Sequence, residues 1–270
     1  MRNIRLPLAL LISVPGLLAF QPKPTLNCNN NDHGNGRGGR FCEIREQTIS
    51  AGGVLNVDAS QNGGISIKGW DRADVLVRSQ VQTQAASDDQ ARDMARQVMV
   101  QANAGSVRST GPKNERDQSW SVSYEIFMPV RSSVTLNTVN GGLSISDVTG
   151  NLEFKTVNGG LHLARVGGYV HGETMNGGVS VELSGDHWDG QGLDVKTTNG
   201  GVKVKVPQNY SAQFEASTSN GGFHAADMPE LEAALRGVDG RRTNRVATTI
   251  GRGGPMVKVA TVNGGVSLGR

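Results

Sequence analysis

Aromatic side chains are scarce: Phe, Trp and Tyr together make up 4% of the 270 residues. A core short of them must be thin and built from Val, Leu, Ile and Thr. Cysteine occurs twice, too few for an iron–sulfur cluster or a thiolate zinc site. Charge of one sign is lacking as well. The formal balance is +3, and two of its cations, Arg2 and Arg5, fall in the N-terminal segment. A nucleic-acid partner needs a basic stripe, which this balance does not supply. Beyond the N-terminus no apolar run is long enough to cross a bilayer. No H-E-x-x-H, P-loop or nucleophile-elbow pattern appears.

Glycine is what the chain has in excess, with 37 residues, about twice the usual share of roughly 7%. The glycines do not recur at every third position, which excludes collagen. Amid β-branched residues they point to tight turns between short strands.

At the N-terminus, Arg2 and Arg5 precede an apolar run from Leu6 to Phe20, interrupted by Pro7, Pro15 and Gly16. The charge order and the short length read as a secretory signal over residues 1–21. The mature chain is then exported (periplasmic, cell-surface or secreted) with no transmembrane span. In an oxidising compartment Cys28 and Cys42 are expected to form a disulfide within an Asn/Gly-rich segment, residues 22–48. Gly34, Gly36 and Gly39 match G-x-G-x-x-G, but lack the strand before and helix after that a nucleotide site requires.

The main signal is Asn-Gly-Gly, which occurs seven times, at Asn62, Asn140, Asn158, Asn176, Asn199, Asn220 and Asn263. From Asn140 the intervals are 18, 18, 23, 21 and 43, and a period near 20 marks stacked repeats. Alternate positions before each asparagine are apolar, beginning with Val134, Leu152, Val170, Leu193, Phe214 and Val257. Threonine stands two before it every time: Thr138, Thr156, Thr174, Thr197, Thr218 and Thr261. After the glycines come Leu143, Leu161, Val179, Val202, Phe223 and Val266, again alternating. Period-2 patterning of this kind means strands with one face buried. The fold class expected is all-β, a single-chain β-solenoid with coils of about 18–21 residues over 49–270. The threonines are expected to bond to one another between coils, the asparagines to form a ladder, and the glycines to supply positive φ. Two short helical excursions are expected, near 87–97 after the cap Ser87 and near 229–237.

Ile65-Ser-Ile-Lys-Gly-Trp-Asp71, Tyr124-Glu-Ile-Phe-Met-Pro-Val130 and Ile250-Gly-Arg-Gly-Gly254 surround and interleave these Thr-x-Asn-Gly-Gly repeats. In that order they resemble the bacterial β-strand-repeat family of unknown function known as putative adhesins. The resemblance runs from about Ile49 to Arg270 and implies an exported β-solenoid at the cell envelope. That family has no agreed catalytic residues, so none carries over.

Candidate sites lie at outward positions. The insertion from Ser184 to Gly192 gathers Asp186, His187, Trp188 and Asp189. An exposed Trp there would stack on a sugar ring while the acids take its hydroxyls; the alternative is that Trp188 folds over the solenoid flank as a lid. Arg236, Arg241, Arg242, Arg245 and Arg252 form a weak basic patch suited to phosphate-bearing polymers. Glu153, His171, Asp194 and Glu215 have the donors for a divalent cation but read as a solvated face, and no metal or cofactor is expected. The last repeat stops two residues short of the C-terminus. Its open end should either self-associate or be covered by the excursion from Pro229 to Gly254.

These readings converge on a non-enzymatic envelope protein that binds or organises envelope polysaccharide or another surface polymer, with no nucleic-acid partner. The alternative is a polysaccharide-acting β-helix enzyme, a lyase or glycosidase, using Asp186 and Asp189 as acid and base.

Overall fold

The computed structural model describes residues 23–28, 38–225, 228–235 and 243–270. The signal segment, most of the loop between the cysteines, and Arg236, Arg241 and Arg242 lie outside them. Two ten-stranded sheets enclose one apolar core. The front sheet holds the strands that run into the asparagines, the back sheet those that leave the glycines. Ser133–Asn140, Thr149–Asn158, Gly167–Asn176 and Gly192–Asn199 pair in parallel in the front sheet. Leu143–Ser146, Leu161–Ala164, Val179–Glu182 and Val202–Lys205 do so in the back sheet. The register matches like with like, Val134 with Leu152, Val170 and Leu193, so each apolar column is continuous and buried. At Gly172 the column makes room for a neighbour: a Cβ there would lie 1.8 Å from the Phe154 ring.

The first layer, Val54–Asp58 and Ile65–Trp70, has one extra residue before its asparagine. Leu55 still pairs with Val134 and Asn62 with Asn140, because Ser60 absorbs the insertion at φ 56°. Beyond this layer the sheets turn mixed. Ser106–Thr110 and Ser119–Pro129 continue them in parallel, followed by antiparallel Met99–Asn103 in front and Asp74–Ala85 and Gly39–Ser50 behind. Helix Asp88–Gln97, capped by Ser87, packs on the last two with Ala91, Met94 and Ala95 buried.

At the other end the stacking order departs from the chain order. Met256–Asn263 pairs with Gly192–Asn199 on one side and Ala212–Asn220 on the other, so the last repeat is inserted beneath the sixth. The expectation of an open C-terminal coil is thereby corrected. A final strand left at an edge would expose unpaired N–H and C=O groups, and insertion gives it partners on both flanks. The outermost repeat is that of Asn220. Its front strand is covered by antiparallel Arg245–Ile250, and helix Pro229–Leu235 packs on that strand. The back sheet ends at Phe223–Ala225, and Phe223 is half-buried where its column mates are fully buried.

Two details of the turns also differ from expectation. Each repeat threonine donates its hydroxyl to the carbonyl of the first glycine in the adjacent layer, not to another threonine. Thr156 bonds to Gly141 O at 3.0 Å and Thr174 to Gly159 O at 2.8 Å. A backbone carbonyl at the corner would otherwise lack a partner. The first glycine of each Asn-Gly-Gly is needed for close approach, because among the glycines of these triplets only Gly63 has φ in the left-handed range. A Cβ on Gly159 would sit 2.0 Å from Gly141 O, and one on Gly177 2.1 Å from Gly159 O.

Cys28 and Cys42 are bonded, with Cα atoms 5.7 Å apart. The bridge ties residues 23–28 to the strand Gly39–Ser50, which runs across the boundary drawn at residue 48. Replacing both cysteines with Ser should cost about 3 kcal/mol, the loop-closure entropy of a bridge this short, read from a shift in the urea midpoint. A loss below about 1 kcal/mol would mean that other contacts alone hold the segment.

Candidate binding surface

The loop expected to bind sugar is fastened down. Trp188 is 2% exposed, and its indole N–H donates to Gly168 O at 3.0 Å. The stacking reading is thereby corrected and the lid reading holds: the ring fills the side of the stack. Backbone bonds from Gly168 N to Asp189 O (2.6 Å) and from Ser211 N to Asp186 O (2.7 Å) hold the loop to the layers on either side. Asp186, His187 and Asp189 remain exposed. His187 Nδ1 lies 2.6 Å from Asp186 Oδ1, and this contact holds the Asp186 carboxyl below its ordinary range. All three tryptophans donate their indole N–H to backbone carbonyls, Trp70 to Asp74 and Trp120 to Pro112.

The outward rows of the front sheet are charge ladders. Glu173 sits between Lys155 at 2.7 Å and Lys196 at 2.9 Å, and their hydrogen bonds hold its carboxyl at about 2. Both lysines are exposed, so the network is worth little in water. Glu173→Gln should lower stability by less than about 1 kcal/mol, an effect that shrinks with added salt. A salt-independent loss in denaturant melts would contradict the ladder. In the neighbouring row the insertion of the last repeat places Lys258 between Asp194 and Glu215. Lys258 lies 4.0 Å from Asp194, and Arg245 pairs with Glu215 at 2.8 Å. Two cations thus stand where a divalent ion would have to sit. The described residues contain no cluster of three or more His, Cys, Asp and Glu able to hold a metal. Arg245 is therefore an ion-pair partner on the front face, while Arg241 and Arg242 belong to the undescribed residues.

The most regular surface is the corner itself. The seven asparagine side chains form one unbroken chain of amide hydrogen bonds. Nδ2 of Asn140 donates to Asn62 at 3.0 Å, Asn158 to Asn140 at 2.7 Å, and Asn176 to Asn158 at 2.8 Å. Asn199, Asn263 and Asn220 extend it at 2.7–2.8 Å. The ladder takes one N–H and one carbonyl lone pair from each of the five inner amides and leaves a second of each. On the front side of this row, Val139, Met175 and Val262 are 40%, 52% and 42% exposed. On the back side a shallow trough of about 750 Å³ runs over the second glycines, Gly160, Gly178, Gly201, Gly265 and Gly222. Ser180, Lys203, Ser267 and His224 form one wall. The inserted repeat places His162 and His224 four layers apart on that row, one more than chain order implies.

A second site was missed by reading the sequence. Glu125, with its side chain fully buried, pairs with Lys68 Nζ at 2.7 Å and with Arg78. The backbone N–H and hydroxyl of Thr25 each donate to it at 2.7 Å. Burial pushes the carboxyl up, but the bonds from Lys68, Thr25 and Arg78 outweigh it and hold the group at about 2. Its only trace in the sequence is a carboxylate inside the apolar run Tyr124–Met128.

The family model described as Toastrack DUF4097 matches residues 49–269. The chain belongs to the Toastrack family. All seven Asn-Gly-Gly turns fall inside the Toastrack match, whereas Thr25 and the Cys28–Cys42 bridge fall outside it. Three solved structures are similar to this Toastrack chain. One is described as a putative cell adhesion protein from Clostridium sporogenes (12% identity, 85% of this chain and 99% of that one, TM-score 0.42). Another is a putative lipid binding protein from Parabacteroides distasonis (10%, 84% and 96%, 0.36). The third is a putative adhesin from Bacteroides fragilis (9%, 84% and 97%, 0.33). No curated protein matches the chain. No helix among the described residues is long and apolar enough to cross a membrane.

Proposed function

We propose that this Toastrack chain is an exported, non-enzymatic binding protein of the adhesin type, which holds or organises polymer at the cell envelope. The two sheets are read as the walls of a β-solenoid whose purpose is to repeat one surface many times. The observation that carries this reading is the register. Like pairs with like over successive layers, so every outward position becomes a straight row at the strand spacing of roughly 4.8 Å. A repeated row suits a repeated ligand, whereas catalysis needs one singular constellation. Export is supported by the bonded cysteine pair, which persists in oxidising compartments, and by the apolar N-terminal run in the sequence.

The test incubates the purified mature chain with isolated envelope fractions and a polysaccharide panel, scoring retention and released fragments together. Retention without fragments is the expected result. Released fragments would overturn the reading in favour of a lyase or glycosidase, with Asp186 and Asp189 the first residues to substitute.

A further inference from the structure

We infer that the glycine trough is the binding site for a linear, acidic polysaccharide lying along the stacking direction, one sugar per layer. The inference rests on the binding reading above and names its ligand class and its site.

Three observations carry it. The first is spacing. The trough crosses five consecutive layers, those of Asn158, Asn176, Asn199, Asn263 and Asn220. At roughly 4.8 Å per layer its ends are roughly 19 Å apart. A polymer of pyranose rings linked through opposite edges advances by close to one such step per ring. An extended peptide advances only about 3.3–3.4 Å per residue and drifts out of phase within two layers.

The second is shape. A second glycine lies in the floor of every layer, and the half-buried ring of Phe223 lines the outermost one. At Gly178 the nearest atom to an added Cβ is Gly201 O at 3.5 Å, and at Gly201 it is Gly265 O at 3.4 Å. At Gly222 nothing lies within 4 Å, and at Gly160 and Gly265 the nearest atom is 3.3 Å away, so the second glycine is far less crowded than the first. Conformation does not demand glycine there either, since none of the five has φ in the left-handed range. The first glycine of each turn is explained by packing, and the second is left for a surface role.

The third is polarity. The wall reads Ser180, Lys203, Ser267 and His224 in stacking order, with His162 continuing the row beyond it, and carries no carboxylate. Each member can donate a hydrogen bond, and Lys203 adds a full positive charge. The next outward row has one acid, Glu182, which lies 3.8 Å from Lys205. Outside the trough, past the first glycines, the asparagine ladder runs alongside it and leaves a spare N–H and lone pair per layer. A donor wall with one lysine and no carboxylate, over a floor of glycine flanked by Val179, Val202, Val266 and Phe223, selects flat rings that bear a carboxylate on the edge facing the wall.

The probe is hexagalacturonate, with cellohexaose as the neutral comparison and polyglutamate as a polyanion without rings. The full mature chain, labelled with nitrogen-15, is titrated with each. Hexagalacturonate should shift the backbone amides of Gly160, Gly178 and Gly201 and the asparagine side-chain amides, with cellohexaose weaker. Lys203→Glu should weaken binding by about tenfold or more and leave the thermal melt unchanged. Ser180→Glu, also at the surface, should do the same and serves as the second variant. Three results would overturn the inference while leaving the parent reading in place. These are hexagalacturonate binding that leaves the glycine amides unmoved, binding indifferent to both variants, and polyglutamate binding as tightly. Failure to bind hexagalacturonate by a chain that envelope fractions retain overturns the ligand class alone. Failure of that retention overturns the parent reading too.

Discussion

Gly159→Ala is expected to lower the unfolding free energy by about 4 kcal/mol, while Gly160→Ala, one residue along, should change it by less than about 1 kcal/mol. The two glycines share a turn and neither has left-handed φ, so backbone conformation predicts the same small effect for both. Interlayer contact separates them. The added methyl on Gly159 would meet Gly141 O at 2.0 Å and Gly141 C at 2.5 Å, atoms of the layer below that cannot rotate away. Relief requires the corner to lift off that layer, which breaks the Gly141 N bond to Asn158 O (3.0 Å) and the Thr156 bond to Gly141 O (3.0 Å). On Gly160 the nearest atom is Gly178 O at 3.3 Å, which a few tenths of an ångström accommodate. The entropy that Ala removes from the unfolded chain, about 0.4–1 kcal/mol, partly offsets that strain. Urea melts of the two variants decide the matter. Equal losses would show that the turn's own geometry, not the stack, demands glycine.

That contrast marks how far the sequence could be read. Strand alternation is a property of single segments, so the columns through Val134, Leu136, Leu143 and Ile145 were legible, as were the capped helix at Ser87 and the asparagine ladder. What depends on which layer lies next was not. The glycines looked like conformational devices because their packing partner is another turn eighteen residues away. The last repeat looked like an end because nothing local distinguishes Met256–Asn263 from a terminal strand. Only its pairing with both Gly192–Asn199 and Ala212–Asn220 does. The sequence left Trp188 open between a stacking platform and a lid over the flank for a related reason. In the sequence it stands among Asp186, His187 and Asp189 and looks solvated, but the acceptor for its indole, Gly168 O, belongs to the preceding layer. The trough combines the two cases. Its glycines were visible as a repeat, while the order of its donor wall depends on the insertion.

Glu125→Ala is expected to cost about 4 kcal/mol, because it leaves Lys68 and Arg78, 16% and 11% exposed at their side chains, without the carboxylate between them. Arg78 keeps Glu46 at 2.7 Å, so the larger share falls on Lys68 and on the docking of Thr25. Acid provides the sharper test. A carboxyl held at about 2 in the fold, against an ordinary value of 4.5, releases its proton more readily when folded. Its contribution of about 3 kcal/mol is therefore complete above the ordinary value and is lost as the pH falls from about 5 toward 2. Glu173 titrates in the same window, so the difference between the wild-type and Glu125→Gln stability curves isolates Glu125. The curves should converge as the pH falls. Curves that stay parallel would mean that the carboxyl titrates as it does in the unfolded chain. The bridge supplies a second check, since Cys28 and Glu125 hold the same six described residues, 23–28. Lys68 to Lys23 O, Arg78 to Leu26 O and Gln80 to Asn27 O add weaker bonds to the same segment, so the bridge and the Glu125 cluster are its two strongest tethers. The combined variant should then fall short of the sum of the two losses, because a segment already loosened by one change has less left to lose by the other.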